Sequence, residues 1–547
     1  MKHPTDSSRR TFLVGSAMTA AVALLGGCAG DGGGGAKQAG GPPAGGKVKT
    51  PVGSETKALT PPAKFREAPM LTKLVEAGTL PPVEKRLPTK PYVVPHRWVK
   101  TGNYGGWLRM STPDTANGQI RQYMYGHSPL RWLNDGMDIG PGLVESWESN
   151  DDASQWTLHF REGLRWSDGK TWTTADIMFW WEDLVLNEAH SAVPPDEMRS
   201  GKGTLAKVTA PDDFTLVLDY DAPAPLTADR LAMWVKGGNG DNGPIWMLPK
   251  HFAQQFHPKY NPKVGENWAT AGGPFELNTD FARNPRCPTM TGWRLSAYRE
   301  GQFLQWERNP YYWCVDREGG QLPYVDRLVM NAVKDPEVGK LQLQQGKFDY
   351  VHGPYASLSL ADVSGLKSTS ARSGMNVYLW DGGDGTGPTG FFFNYDYKDP
   401  AMRALIREPR FRQALSLAFN RAEVQKSVHF GTGELTTGTM SPKAIEYHVN
   451  AEGRKVYQQW RDSFVGPDPE QAKKLLDELG VVDKDGDGKR ERPDGTKLAI
   501  LTHAADAGQV TQQTNNLMRR DWEAIGWTSG WTRSRRSHSG HGGSPVT

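Results

Sequence analysis

Cysteine is scarce, with three in 547 residues: Cys28, Cys287 and Cys314. None stands in a CxxC pair or in a Cys/His array with zinc spacing, which excludes a zinc ribbon and a disulfide-built scaffold. Neither sign of charge dominates. The 64 basic and 61 acidic residues leave a net charge of +3, so no basic footprint for nucleic acid exists. After Leu25 no apolar run approaches the roughly 20 residues that span a bilayer. Walker A, HExxH, GxSxG and haem motifs are also missing, so no nucleophile, catalytic metal or nucleotide site announces itself. Gly385-Thr386-Gly387-Pro388-Thr389-Gly390 matches GxGxxG formally. It is followed by the strand-like Phe391-Phe392-Phe393-Asn394, where a dinucleotide site requires a helix.

What is present begins with an export signal. Ser8-Arg9-Arg10-Thr11-Phe12-Leu13 carries paired arginines, and Phe12–Leu25 is an apolar stretch of mostly small residues. It ends in Leu25-Gly26-Gly27-Cys28, which reads as a lipoprotein processing box with Cys28 as the lipid anchor. The chain is expected outside the cytoplasm, in the periplasm or on the outer face of the cell membrane. Gly-dominated Ala29–Thr50 reads as a flexible tether, and the linker is taken to run over residues 29–60. Export favours oxidising conditions, under which Cys287 and Cys314 can pair; two separate buried thiols are the alternative.

Periodicity points to a mixed α/β body. Trp156, Leu158 and Phe160 alternate with polar residues, as do Leu216, Leu218 and Tyr220, which is the pattern of half-buried strands. Thr174 reads as an N-cap, followed by Ile177, Trp180, Trp181 and Leu184 on one helical face. Phe411, Ala414, Leu415 and Ala418 form another helical stripe. Asn420 with Glu423 opens a further helix. Asp468-Pro469-Glu470 starts a third, lined by Ala472, Leu475 and Leu476 and ended by Gly480.

Five segments in order carry a resemblance. Gly102–Arg109 is similar to a first strand. Leu143–Glu148 through Trp156–Gly169 forms the most recognisable block, continued by Thr174-Ala175-Asp176-Ile177. Glu307-Arg308-Asn309-Pro310-Tyr311-Tyr312-Trp313 matches an ERNPxYW element, and Phe411–Leu415 with Asn420-Arg421 matches an RQALxxAxDR helix. The chain resembles the family 5 extracellular solute-binding proteins of ABC importers, the oligopeptide, dipeptide and nickel group. The resemblance implies a two-lobed, periplasmic-binding-protein-like fold with an extra subdomain. Residues 61–97 form an N-terminal extension. Residues 98–139 and 241–375 make lobe I, 140–240 the subdomain and 376–526 lobe II. It implies a monomeric, non-enzymatic receptor that closes over an oligopeptide and presents it to permease subunits. Tyr125 and His127, in a segment similar to the family's YEPL element, become pocket candidates. So do Trp380, Phe392, Asn394 and Tyr395, near the crossing into the second lobe.

Two rivals remain open. The 20 tryptophans suit oligosaccharides, whose sugar faces stack on indoles, and an exported hydrolase is the alternative of another class. No cofactor is expected, with one exception. Asp483-Lys484-Asp485-Gly486-Asp487-Gly488, with Asp494 at position 12, fits a structural calcium loop in which Asp483, Asp485, Asp487 and Asp494 are ligands. A polar turn is the alternative. Finally, residues 527–547 lack acidic residues and apolar periodicity. They read as an aberrant, disordered tail following an incomplete second lobe.

Overall fold

The computed structural model describes residues 55–97, 100–115, 128–136, 138–190, 194–232, 247–270, 272–351, 358–379, 391–438, 447, 450–505 and 509–534. Its alternating segments become strands as the periodicity requires. Val144–Ser149, Gln155–Phe160, Thr215–Asp219 and Lys207–Asp212 form a four-stranded antiparallel sheet in that order. Trp156, Leu158, Phe160, Leu216 and Leu218 are all buried, and Trp166, Trp172, Phe179 and Trp180 pack into the same core. The helix Thr174–Trp180 continues as a single π-helical turn, Trp181–Val185.

Thr173, not Thr174, caps this helix. Asp176 at the third position closes a capping box on Thr173, while the Thr174 hydroxyl donates to the Asp212 carbonyl at 2.7 Å. Asp176 is buried and also accepts from Trp166 Nε1 at 3.0 Å and from the Lys250 amide at 2.8 Å. Burial raises its carboxyl pKa above the ordinary value, against the pull of these donors.

A second four-stranded sheet has the order Trp107–Thr112, Arg327–Ala332, Phe303–Arg308, Trp293–Arg299. The first pair is parallel and the rest antiparallel. Met110, Leu304, Trp306, Leu328 and Met330 bury its inner face. The N-terminal extension is fixed to this region. Tyr92–Val93 pairs in parallel with Cys314–Val315. Arg86, fully buried, is ion-paired with Glu67 and donates to the Pro81 and Pro310 carbonyls and to Gln321 Oε1. The ordered extension starts earlier than expected. Leu59 packs against Val83, Leu87, Val93 and Val315, and Glu55 pairs with Arg97 at 3.0 Å and Arg317 at 2.8 Å, so residues 55–60 are not linker.

Another core is built wholly from residues 391–527. This part of the chain contains the helices Pro400–Arg407, Pro409–Ala418, Pro469–Glu478 and Gln509–Glu523 and a parallel pair of strands, Ala499–Ala505 and Thr528–Ser534. Asp468 and Asn420 cap their helices as read, and Gly480 takes the left-handed conformation at φ 72°.

Two further expectations are corrected. The chain does not leave the fold at residue 527. Trp527 is 1% exposed between Phe411 and Trp522, and Thr528–Ser534 pairs residue by residue with Ala499–Ala505. The segment reads as featureless because its pairing is carried by backbone hydrogen bonds and one indole, not by alternating aliphatics. Residues 535–547 lie outside the described residues. The disulfide is also absent: Cys287 and Cys314 are both buried and are not bonded to each other. They belong to different cores, Cys287 beside Phe281 and Ala282 and Cys314 with Tyr92 and Trp313. Burial lifts both thiols, that of Cys314 to about 12 and that of Cys287 well above its ordinary value.

Trp522 holds the second core together. Its Nε1 donates to the Leu415 carbonyl at 3.0 Å, and its ring meets Phe391 at 4.7 Å and Trp527 at 5.1 Å. Trp522→Ala is expected to cost about 3–5 kcal/mol. Urea unfolding would register this as a lower midpoint for the part of the protein containing residues 391–527.

Candidate functional site

The site candidate grows from a short apolar run. In Phe391-Phe392-Phe393-Asn394-Tyr395 the burial alternates. Phe391 and Phe393 pack on the second core, while Phe392 is 89% exposed and Asn394 is exposed beside it. Phe391 meets the Trp522 ring edge-on at 81°, and Phe393 meets Phe391 at 5.0 Å with the same angle. This anchorage fixes which side of the chain points outward. Asn394 then turns the chain: its Oδ1 accepts from the Asp396 amide at 3.0 Å and its carbonyl from the Tyr397 amide at 3.2 Å.

Tyr395 stands next in line. The Arg412 guanidinium lies 5.3 Å from its ring centre, and Arg407 Nε donates to its carbonyl at 2.8 Å. Arg407 also pairs with Asp396 at 2.8 Å. The result is an exposed aromatic and an amide on a surface steadied by two arginines, which can stack against a ring and hydrogen-bond to hydroxyl or carbonyl groups. Tyr378 and Leu379, 71% and 61% exposed, precede this segment in the chain. Of the six predicted pocket residues, Phe392, Asn394 and Tyr395 lie in this exposed stretch, adjacent in the chain. Tyr125, His127 and Trp380 lie outside the described residues.

The motifs that carry the resemblance serve a different purpose. Arg308 donates to the Tyr324 carbonyl at 2.7 Å and to Asp326 at 2.8 Å, and it lies 5.2 Å from the Tyr104 ring. Buried Asn309 donates to the Thr291 carbonyl at 2.9 Å and accepts from the Tyr311 amide at 2.9 Å. Arg421 binds the Ser416 and Val465 carbonyls at 2.8 and 3.1 Å, and burial pushes its pKa down to about 10. These side chains are buried or half-buried and tie backbone segments together.

A second constellation lies in the loop 483–494. Asp483, Asp485 and Glu491 each place a carboxylate oxygen within 4.8 Å of the others. Asp487 is ion-paired with Lys497. Asp494 faces elsewhere: its Oδ1 accepts from the Thr496 amide at 3.0 Å and hydroxyl at 2.6 Å, and Arg492 lies 3.2 Å from its Oδ2. Counting to position 12 therefore missed Glu491. The signal was available in its place at position 9, in a short run that folds back on Val482 and Lys497 by isolated bridges.

Residues 138–529 match the model of bacterial extracellular solute-binding proteins, family 5 Middle. The periplasmic alpha-galactoside-binding protein of Rhizobium meliloti is 28% identical over 491 residues, covering 81% of this chain and 63% of that protein. Among solved structures, an oligopeptide-binding protein OppA is 31% identical with a TM-score of 0.57, over 87% of this chain and 72% of that one. The binding protein MelB of Agrobacterium fabrum, solved with stachyose, gives a TM-score of 0.64 at 22% identity, over 89% and 72% of the two chains. The chain spans about three-fifths of the length of the curated relatives it matches. Its mixed α/β fold is that of the two-lobed periplasmic binding proteins.

Phe392 and Phe391 separate binding from stability. Phe392→Ala is expected to leave stability within about 0.5 kcal/mol of the parent and to weaken ligand binding by about 1 kcal/mol, roughly fivefold. Phe391→Ala is expected to lower stability by about 2 kcal/mol or more. Paired urea melts and calorimetric titrations of both variants read the two effects.

Proposed function

The chain belongs to the family 5 bacterial extracellular solute-binding proteins, and from that premise we propose that it is an exported receptor handing an oligosaccharide to an ABC importer. The observation that carries the ligand class is the exposed Phe392 ring with Asn394, also exposed, two residues on. A flat apolar surface beside an amide matches a sugar ring, which offers an apolar face and a hydroxyl edge. The alpha-galactoside-binding relative supports this reading. Oligopeptides, which the sequence reading placed first, are the second reading, supported by the 31% identity to an oligopeptide-binding protein. The relatives are binding proteins, not enzymes, which weighs against the hydrolase.

Transport follows from differential binding. A ligand that touches both lobes only when they are closed shifts the hinge equilibrium toward closure by as much as those added contacts are worth. The closed form is what the permease subunits would recognise. The protein is read as a monomer tethered by lipid on Cys28, with the Gly-rich segment as its spacer.

Two measurements test this. Calorimetry with α-galactosides and with peptides should find micromolar or tighter binding of the sugar, about −8 kcal/mol or better, and chromatography of the mixture should show the sugar intact. Tight peptide binding without sugar binding would select the second reading, and turnover of either would select the hydrolase. Separately, Cys28→Ser should move the protein from the membrane fraction to the soluble exported fraction. Retention on the membrane would remove the lipid anchor from the account.

A further inference from the structure

The structure assigns a calcium site to the loop Asp483–Glu491, with Asp483, Asp485 and Glu491 as its protein ligands. Two independent observations meet there. The first is convergence: three carboxylates place oxygens within 4.8 Å of one another, inside the span over which a cation of Ca²⁺ size collects ligands at about 2.3–2.6 Å each. The second is Glu491 itself. Its side chain belongs to a residue only 5% exposed, and its Oε1 is buried with no hydrogen-bond partner. The other oxygen is used by the Lys484 amide at 2.7 Å. A buried carboxylate oxygen without a donor is costly unless a cation meets it.

Lys497 is the cation already nearby. Its ammonium is 3.4 Å from Asp485 Oδ2, is ion-paired with Asp487, and is 3.7 Å from Glu491 Oε1, beyond hydrogen-bonding distance. One ammonium thus serves three carboxylates and fully satisfies none but Asp487. The Lys497 side chain is 43% exposed and is free to swing outward on its flexible stem. Gly486 and Gly488, at φ 78° and 82°, let the loop turn sharply between Asp483 and Glu491. Oxygen-only donors of this charge favour Ca²⁺, which accepts irregular geometry, over Mg²⁺, which demands a tight octahedron.

Calcium here would be structural. Arg490, inside the loop, donates to the Ile525 carbonyl at 2.9 Å, and its amide donates to the Gly526 carbonyl at 2.8 Å. The Leu498 amide returns to the Arg490 carbonyl at 2.7 Å, and the Thr528 amide to the Leu498 carbonyl at 3.0 Å. Fixing the loop therefore fixes the start of both parallel strands.

The test titrates Ca²⁺ alone into chelator-stripped full-length protein by calorimetry, with parallel thermal melts. The expectation is a single site with Kd on the order of 10⁻⁴ M or tighter, and a melting temperature a few degrees higher in excess Ca²⁺ but not in equal Mg²⁺. Asp485→Asn, an exposed position, should weaken the affinity about tenfold or more, and Glu491→Gln should do the same. Asp494→Asn should leave it unchanged, and Lys497→Gln should tighten it by removing the competing ammonium. Absence of binding at millimolar Ca²⁺ in the folded parent would overturn the assignment. So would an Asp485→Asn protein that binds like the parent, or loss of binding in Asp494→Asn alone.

Discussion

Two rings cannot be buried from one side of an alternating chain without exposing the ring between them. That constraint organises the surface around residues 391–395. Phe391 packs on Trp522 and Phe393 on Phe391, and Trp522 is itself fixed through its indole N–H to the Leu415 carbonyl. Phe392 then has only solvent or a ligand to meet. A ring presented this way is already oriented before anything binds. Little conformational freedom is lost on binding, which is the general route to affinity at a small contact.

The same core ties distant parts of the chain to that surface. The helix Pro409–Ala418 supplies Leu415 and Arg412, the first holding Trp522 and the second lying over Tyr395. The helix Gln509–Glu523 supplies Trp522, and also Arg520 and Asp521, which bind Glu423 and the Asn420 amide. The strand Thr528–Ser534 closes the arrangement beside Ala499–Ala505. The candidate ligand face, the helix caps and the acidic loop thus belong to one packed unit.

Much of this was legible in the sequence, for stated reasons. Trp156, Leu158 and Phe160 declared a strand because one face must be apolar and the other polar. Asp468-Pro469 declared a helix start because a carboxylate satisfies free amides and proline needs none. Motif order gave the family, and with it the two-lobed α/β fold. What escaped was whatever depends on partners far away in the chain. Cys287 and Cys314 are 27 positions apart yet pack into different cores, which no spacing reveals. Glu491 joins Asp483 and Asp485 only because short bridges fold the run back on itself. The strand after Gly526 carries its pairing in the backbone, where side-chain patterns are silent. Of the candidate site, Phe392, Asn394 and Tyr395 were named from the chain's resemblance, but only the structure separates the exposed Phe392 from its two half-buried neighbours.

The central claim is that this surface receives a sugar. Native mass spectrometry of the protein, isolated gently from its host and sprayed with whatever it carries, addresses it most directly. The account predicts an adduct whose mass is a whole number of hexose units and which is reduced or lost in Phe392→Ala. An adduct that fragments into amino-acid residue masses, or a hexose adduct indifferent to Phe392→Ala, would contradict it.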